Sequence, residues 1–190
     1  YWPGPLTVVL PGRDGTTIGV RQPANELTQQ IIAAAGEPLW LATSAAAAAR
    51  DADQVLQQFG SAVAMVVDDG PAPLGAPSTV VCQRDDGLDV VREGILSARE
   101  VLETAAQLVL FVCTGNTCRS PLAAALARRA TAEALGVTED RLMARGFWFA
   151  SAGTGAYPGM PASDGALAAG GEIGLDLSAH ESQPVTPELL

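Results

Sequence analysis

Apolar and polar positions follow one rhythm in the first half of the chain and another in the second. Trp2 to Leu10 reads WPGPLTVVL, which predicts a turn on Pro3, Gly4 and Pro5 and then a β-branched strand, with a second strand at Ile18 to Arg21. Leu27, Ile31, Ala34 and Ala35 recur at helical spacing until Gly36 stops them. Pro38 to Thr43 and Val63 to Val67 read as apolar strands. Between them Asp51 is placed to cap a helix that turns Val55, Leu56 and Phe59 inward and ends at Gly60. The stretch DDGPAPLGAPS, from Asp68 to Ser78, is a rigid Pro/Gly loop. Thr79 to Cys82 and Leu88 to Arg92 then pair across a turn at Asp85, Asp86 and Gly87.

Ser97 followed by Glu100 is a capping-box spacing that opens a helix carrying Val101 and Leu102 and ending near Gln107. There the pattern changes. Leu108 to Val112 is a continuous apolar run, as expected of a strand buried on both faces of a parallel sheet. CTGNTCRSP follows, then a helix with Leu122, Leu126 and Ala130 on one face and Gly136 as its stop, a strand at Phe147 to Ala150, the loop SAGTGAYPGMP, and a small-residue helix from Ala162 to Gly171. Strand, glycine loop, helix, strand, helix opens a doubly wound α/β unit. We therefore expect two domains, 1–107 and 108–190.

Composition narrows the function classes. Hydrophobic residues make up 48% of the 190 against 17% charged, enough for packed cores rather than disorder. Every one of the 11 basic residues is Arg, and 21 acidic residues bring the net charge to -10, so a nucleic-acid duplex is a poor partner. No stretch of about 18 apolar residues spans a membrane. Cys82, Cys113 and Cys118 are too few and too unevenly placed for a disulfide scaffold, and a reducing cytoplasm fits best. Beginning on Tyr1, in what reads as mid-strand, the sequence suggests a piece of something longer. Nothing in it sets an oligomeric state.

The candidate chemistry lies in Cys113-Thr114-Gly115-Asn116-Thr117-Cys118-Arg119-Ser120-Pro121, a cysteine, five residues and an arginine between a buried strand and a helix start. Pro121 suits the first helical turn, where unpaired N–H groups and the positive dipole end make an anion site. Gly115 and Asn116 tolerate positive φ, so the loop can curl into a nest of inward N–H groups. That field favours the Cys113 thiolate over a free thiol near 8.5. Arg119 can grip two phosphoryl oxygens, and Ser120 can donate towards sulfur. The implied reaction is in-line attack by Cys113 on phosphorus, through a phosphocysteine intermediate, with no metal. A nucleoside-triphosphate loop is excluded for want of its lysine, and Cys113, Cys118 and His180 have no zinc-ligand spacing.

VLFVCTGNTCRSP followed by ASAGTGAYPGMPAS resembles the low-molecular-weight protein tyrosine phosphatases over Leu108 to Leu190. The resemblance implies the first half of a doubly wound parallel-sheet fold. It gives Cys113 as nucleophile, Arg119 as transition-state clamp, and Asn116 and Ser120 as loop-shaping and thiolate-stabilising residues. Ser151, Ala152 and Gly153 would buttress the loop. Thr117 stands where tyrosine-directed members carry an aliphatic residue, and TGNTCRSP resembles the branch acting on phosphoarginine, which puts a phosphoarginine-bearing protein slightly ahead of a phosphotyrosine-bearing one as substrate. Cys118 lies where members have a cysteine able to trap the oxidised nucleophile. The family's general acid is the aspartate of an Asp-Pro pair, which occurs nowhere in this sequence, and we expect the acid loop to lie beyond it.

Residues 1–107 resemble the YrdC-like threonylcarbamoyl-adenylate synthases of transfer-RNA modification, through YWPGPLTVVL, VRQP, LATSA, PLGAPSTVV and VVREGIL. That resemblance implies a twisted mixed sheet with helices. Thr7, Arg21, Thr43, Ser44, Ser78 and Arg92 would lie around threonine and ATP, the latter as substrate and with magnesium. The family's Lys-Arg-Pro element precedes the WPGP motif, and its Ser-Ala-Asn stretch has become Ser44-Ala45-Ala46, so a retained scaffold is as well supported as a working synthase. Arsenate reduction needs further cysteines, and none follows Cys118. A scaffold with a vestigial phosphate pocket is the non-enzymatic alternative.

Overall fold

The computed structural model describes residues 1–41 and 49–189. The chain divides into two compact units, 1–98 and 99–190, against an expected domain change after Gln107. Both are α/β, the first with a mixed sheet and the second with a parallel strand pair.

In the first unit, β1 (Leu6–Pro11) pairs antiparallel with β2 (Thr17–Val20) and parallel with β3 (Thr79–Arg84), which pairs antiparallel with β4 (Gly87–Arg92). The sheet order is β2-β1-β3-β4. Helix α1 (Glu26–Ala35) starts where the Asn25 side chain accepts from the Thr28 N–H and stops at Gly36 in the left-handed region. Helix α2 (Ala52–Phe59) is capped by Asp51 on the Gln54 N–H. The sheet is pinned to the next segment by Thr79, fully buried, whose hydroxyl donates to Leu96 O at 2.6 Å and accepts from the N–H groups of Gly94 and Leu96.

Among the described residues two expected strands do not form, positions 42 and 43 of the first lying outside those residues. Residues 38–41 and 63–67 carry no strand pairing, and Met65 and Val67 are 79% and 54% exposed. An apolar run becomes a strand only when a neighbour takes its N–H and C=O groups, and no sheet edge does so here. The inward face expected of α2 is also corrected: Leu56 and Phe59 are exposed.

Helix α3 (Ala98–Ala105) starts on the last residue of the first unit, where the Ala98 N–H donates to the Glu93 carboxylate at 2.7 Å; its remaining residues belong to the second. Strand β5 (Gln107–Cys113) pairs in parallel with β6 (Phe147–Gly153), in register from Gln107 opposite Phe147 to Cys113 opposite Gly153. Helix α4 (Arg119–Leu135) runs between them in sequence and packs on both, and α5 (Asp164–Glu172) follows β6, capped by Ser163. Strand β5 is only half-buried, with Val112 49% exposed, because it has one strand partner rather than two. The buried stripe of α4 is Pro121, Ala124, Ala125 and Ala132; of the expected Leu122, Leu126 and Ala130, Leu122 is partly buried against the core and the other two are exposed. Small residues let the helix axis approach its neighbours closely, and Leu126 is left 44% exposed. Ala125 packs with Ala162, Ala166, Leu175 and Leu177 in the core that holds the loop after β5 in place.

Candidate active site

The chain leaves β5 at Cys113 and enters α4 at Arg119, so residues 114–118 turn through one tight loop at the strand's C-terminal end. The carbonyls of Cys113, Thr114, Asn116 and Thr117 are held by the scaffold. Cys113 O accepts from Thr154 N and Thr114 O from Gly155 N, both at 2.9 Å; Thr117 O accepts from Ser163 N at 2.7 Å. Asn116 O accepts from His180 Nε2 at 2.6 Å, which places the ring proton on Nε2. In a trans peptide the N–H points opposite to the preceding C=O, so outward carbonyls at 114, 116 and 117 turn the N–H groups of Gly115, Thr117 and Cys118 inward. Among the described residues none of those three N–H groups has an acceptor. With the Asn116 N–H, which donates to Cys113 Sγ at 3.2 Å, they form a nest facing the sulfur.

Asn116 is the hub. It is fully buried at φ 52, a left-handed conformation that Asn tolerates better than most residues. The Gln183 N–H can only donate, so its 2.8 Å contact fixes the side-chain oxygen of Asn116, leaving Nδ2 to donate to Ser120 Oγ at 2.9 Å and Ser151 Oγ at 2.8 Å. Because Ser120 accepts from Asn116, its single hydroxyl proton is free for Cys113 Sγ at 3.0 Å, in preference to Ala152 O at 3.4 Å. Gly153 closes the back of the loop: a Cβ there would lie 2.5 Å from Thr114 O and 2.9 Å from Asn116 N.

These contacts set the charge state of the sulfur. Partial burial raises the Cys113 thiol, but the Ser120 hydroxyl and N–H, the Asn116 N–H and the charge of Arg119 outweigh it, so the thiol is held below its ordinary value. Arg119 is exposed at the helix start, as are Thr114 and Cys118, while Cys113 and Thr117 are half-buried. Pro121 falls in the first turn of α4, whose N-terminus has no side-chain cap.

Sequence reasoning weighed His180 only as a zinc ligand and missed Ser182 and Gln183. They lie more than 60 positions from the loop, and no spacing marks them. His180 Nε2 and Gln183 N reach Asn116, and Gly153 and Pro184 form an isolated parallel bridge beside it. Among the described residues no group of three His, Cys, Asp or Glu side chains is arranged to hold a metal.

In the first unit Thr7, Ser78 and Arg92 come together: Thr7 Oγ1 lies 2.9 Å from Ser78 Oγ, and Arg92 donates to Ser78 O at 2.9 Å. Arg21 instead ties down the opening turn, donating from Nε to Gly4 O at 2.9 Å. Thr43 and Ser44 lie outside the described residues.

Comparison with known proteins divides the chain in the same way. Residues 1–94 match the Sua5/YciO/YrdC family model, described as telomere recombination, and residues 108–190 match the low molecular weight phosphotyrosine protein phosphatase model. A probable low molecular weight protein-tyrosine-phosphatase, EpsP of Ralstonia solanacearum, is 38% identical over 43% of this chain and 48% of its own length. A threonylcarbamoyl-AMP synthase of Pyrococcus abyssi is 27% identical over 57% of this chain and 35% of its own length. A crystal structure of a low molecular weight protein tyrosine phosphatase from T. tengcongensis is 41% identical over 44% of this chain and 51% of that one, with a TM-score of 0.34. The YwlE arginine phosphatase from Geobacillus stearothermophilus is 37% identical over 43% and 45%, with a TM-score of 0.33. The chain spans about half the length of the phosphatase relatives it matches. It thus joins a segment similar to the Sua5/YciO/YrdC family to one similar to the low-molecular-weight phosphotyrosine protein phosphatases, with the Cys113 loop inside the second.

Proposed function

We propose that the Cys113 loop is the phosphate site of a protein phosphatase acting through a phosphocysteine. The observation that carries this is the convergence on Cys113 Sγ of the Asn116 N–H and the Ser120 hydroxyl at the mouth of an inward-facing nest. Cys113 Sγ attacks phosphorus in line while the N–H groups and Arg119 bind the equatorial oxygens; the bond from phosphorus to the leaving atom breaks, and that atom takes a proton from water. Water then attacks the phosphocysteine, and the sulfur leaves as the thiolate that Ser120 and Asn116 stabilise.

Phosphoarginine stands ahead of phosphotyrosine as substrate on one residue. Thr117 brings a hydroxyl to the loop, which can accept from the guanidino N–H groups of a phosphoramidate; an aryl ester offers none. The test is hydrolysis of phosphoarginine- and phosphotyrosine-bearing protein and of a generic aryl phosphate, beside Cys113→Ser. Activity that survives the substitution discards the mechanism, and a Thr117→Ile variant that leaves the substrate preference unchanged discards the role of Thr117.

The Thr7, Ser78 and Arg92 cluster favours a second reading of the first unit, as an ATP- and threonine-binding synthase module or its relic, with Arg92 suited to a phosphate. Calorimetry with an ATP analogue and threonine tests it, and no heat at millimolar ligand contradicts it.

A further inference from the structure

The turn Tyr157-Pro158-Gly159-Met160 begins three residues beyond Thr154, whose N–H is bonded to the nucleophile's own carbonyl. Pro158 in second place and Gly159 at φ +79 in third are the signature of a type II turn, in which the Met160 N–H would donate to Tyr157 O. That bond is not made. The Ser182 hydroxyl stands between the two groups, accepting from Met160 N at 3.0 Å and donating to Tyr157 O at 2.5 Å, as a bridging water would. The Ser182 backbone completes the clamp, its N–H donating to Met160 O and its C=O accepting from Gly159 N, both at 2.8 Å. Ser182 is 2% exposed, whereas the side chains it presents through this turn, Tyr157 and Met160, are 80% and 51% exposed.

Resting on the phosphatase reading of the Cys113 loop, we infer that Ser182 is a specificity-positioning residue: its hydroxyl holds the turn open and so sets where Tyr157 and Met160 meet the organic part of the phosphorylated substrate. The turn is fixed at both ends. At one, Thr154 and Gly155 bond the carbonyls of Cys113 and Thr114; at the other stands Ser182, next to Gln183, which holds Asn116. Substrate side chain and phosphate are therefore registered against each other by a residue that touches neither. Without the hydroxyl, the turn can close its own Met160-to-Tyr157 bond and draw the two apolar side chains to a new place.

The test is a double-mutant cycle on the full chain with Ser182→Ala, Tyr157→Ala and their combination, with Ser182→Thr as the rescue that keeps a hydroxyl. The substrates are an aryl phosphate and glycerol phosphate, and inorganic phosphate serves as a competitive probe of the Cys113 loop alone. Ser182→Ala is expected to raise KM for the aryl ester about 3- to 10-fold, the scale of one misplaced aromatic contact. KM for glycerol phosphate and inhibition by inorganic phosphate should hold, Ser182→Thr should restore the aryl KM, and the effect should vanish in the Tyr157→Ala background. Equal losses on both esters, weakened inhibition by phosphate, or an effect that simply adds to that of Tyr157→Ala would overturn the inference. If wild type hydrolyses neither ester, the phosphatase reading fails on its own. The same cycle on calorimetric binding of phenylphosphonate against inorganic phosphate then decides the role of Ser182, since unchanged selectivity between those two ligands refutes it.

Discussion

Replacing Asn116 separates the two jobs the loop must do, holding its shape and charging its sulfur. Asn116→Ala removes three side-chain hydrogen bonds, to Ser120 Oγ, to Ser151 Oγ and from Gln183 N. At about 1 kcal/mol net for each, that is about 3 kcal/mol. It also puts an Ala at φ 52, where a residue without a local polar partner costs about 1 kcal/mol more. The expected loss is therefore about 4 kcal/mol for Ala and about 3 kcal/mol for Asn116→Gly, which sheds the backbone penalty. Asn116→Asp differs in kind: its second carboxylate oxygen accepts the Ser120 proton that otherwise faces sulfur, and its charge opposes the thiolate, so the Cys113 thiol rises. Urea unfolding followed by Trp148, on β6, in a background with Trp2 and Trp40 replaced by Phe reads the second unit alone. Alkylation of Cys113 against pH reads the sulfur. A loss under about 1 kcal/mol for Ala, or an unmoved alkylation profile for Asp, would refute the hub.

Three further outcomes follow from the same geometry. Gly153→Ala drives a methyl to within 2.5 Å of Thr114 O, and should cost about 1–3 kcal/mol in unfolding experiments and weaken competitive inhibition by inorganic phosphate; unchanged inhibition contradicts the close approach. The general acid that the phosphatase resemblance implies sits in an Asp-Pro pair these 190 residues do not contain, so turnover by this chain should fall steeply as the leaving group becomes more basic, with phosphotyrosine about 10²- to 10⁴-fold below a dinitrophenyl phosphate; a flat series across phenyl phosphates means that an acid within these residues is at work. Because the folded Cys113 thiol is lowered, the unfolded chain keeps that proton to higher pH. Its stabilisation is thus fully present above the unfolded value of about 8.5 and lost as pH falls through the folded value. The stability gap between wild type and Cys113→Ser should widen as pH rises through that window, and a constant gap is the contrary result.

The loop was legible because its chemistry is local: cysteine, turn residues, arginine and helix start are contiguous from Cys113 to Pro121, and each residue type has one physical reason to be there. What locks the loop was not. His180 and Gln183 reach Asn116 from 64 and 67 positions away, and Ser182 bonds the Tyr157 carbonyl from 25 away, through single polar contacts that leave no periodicity. The hairpin of β3 and β4, the cap at Asp51 and the strand at β5 follow local rules and were readable. Residues 63–67 were not, because strand formation depends on a neighbour rather than on apolar content. The buried face of α4 was misread for a related reason: periodicity favours its leucines, whereas close packing selects Ala124 and Ala125.

The account stands on the ionisation of one sulfur. The rate at which iodoacetamide alkylates Cys113 in the folded chain, followed by peptide mass spectrometry across pH, measures it directly. Half-maximal reactivity below the free-cysteine value of about 8.5, moving upward in Ser120→Ala, is the predicted result. A midpoint at or above that value, indifferent to Ser120, would contradict it.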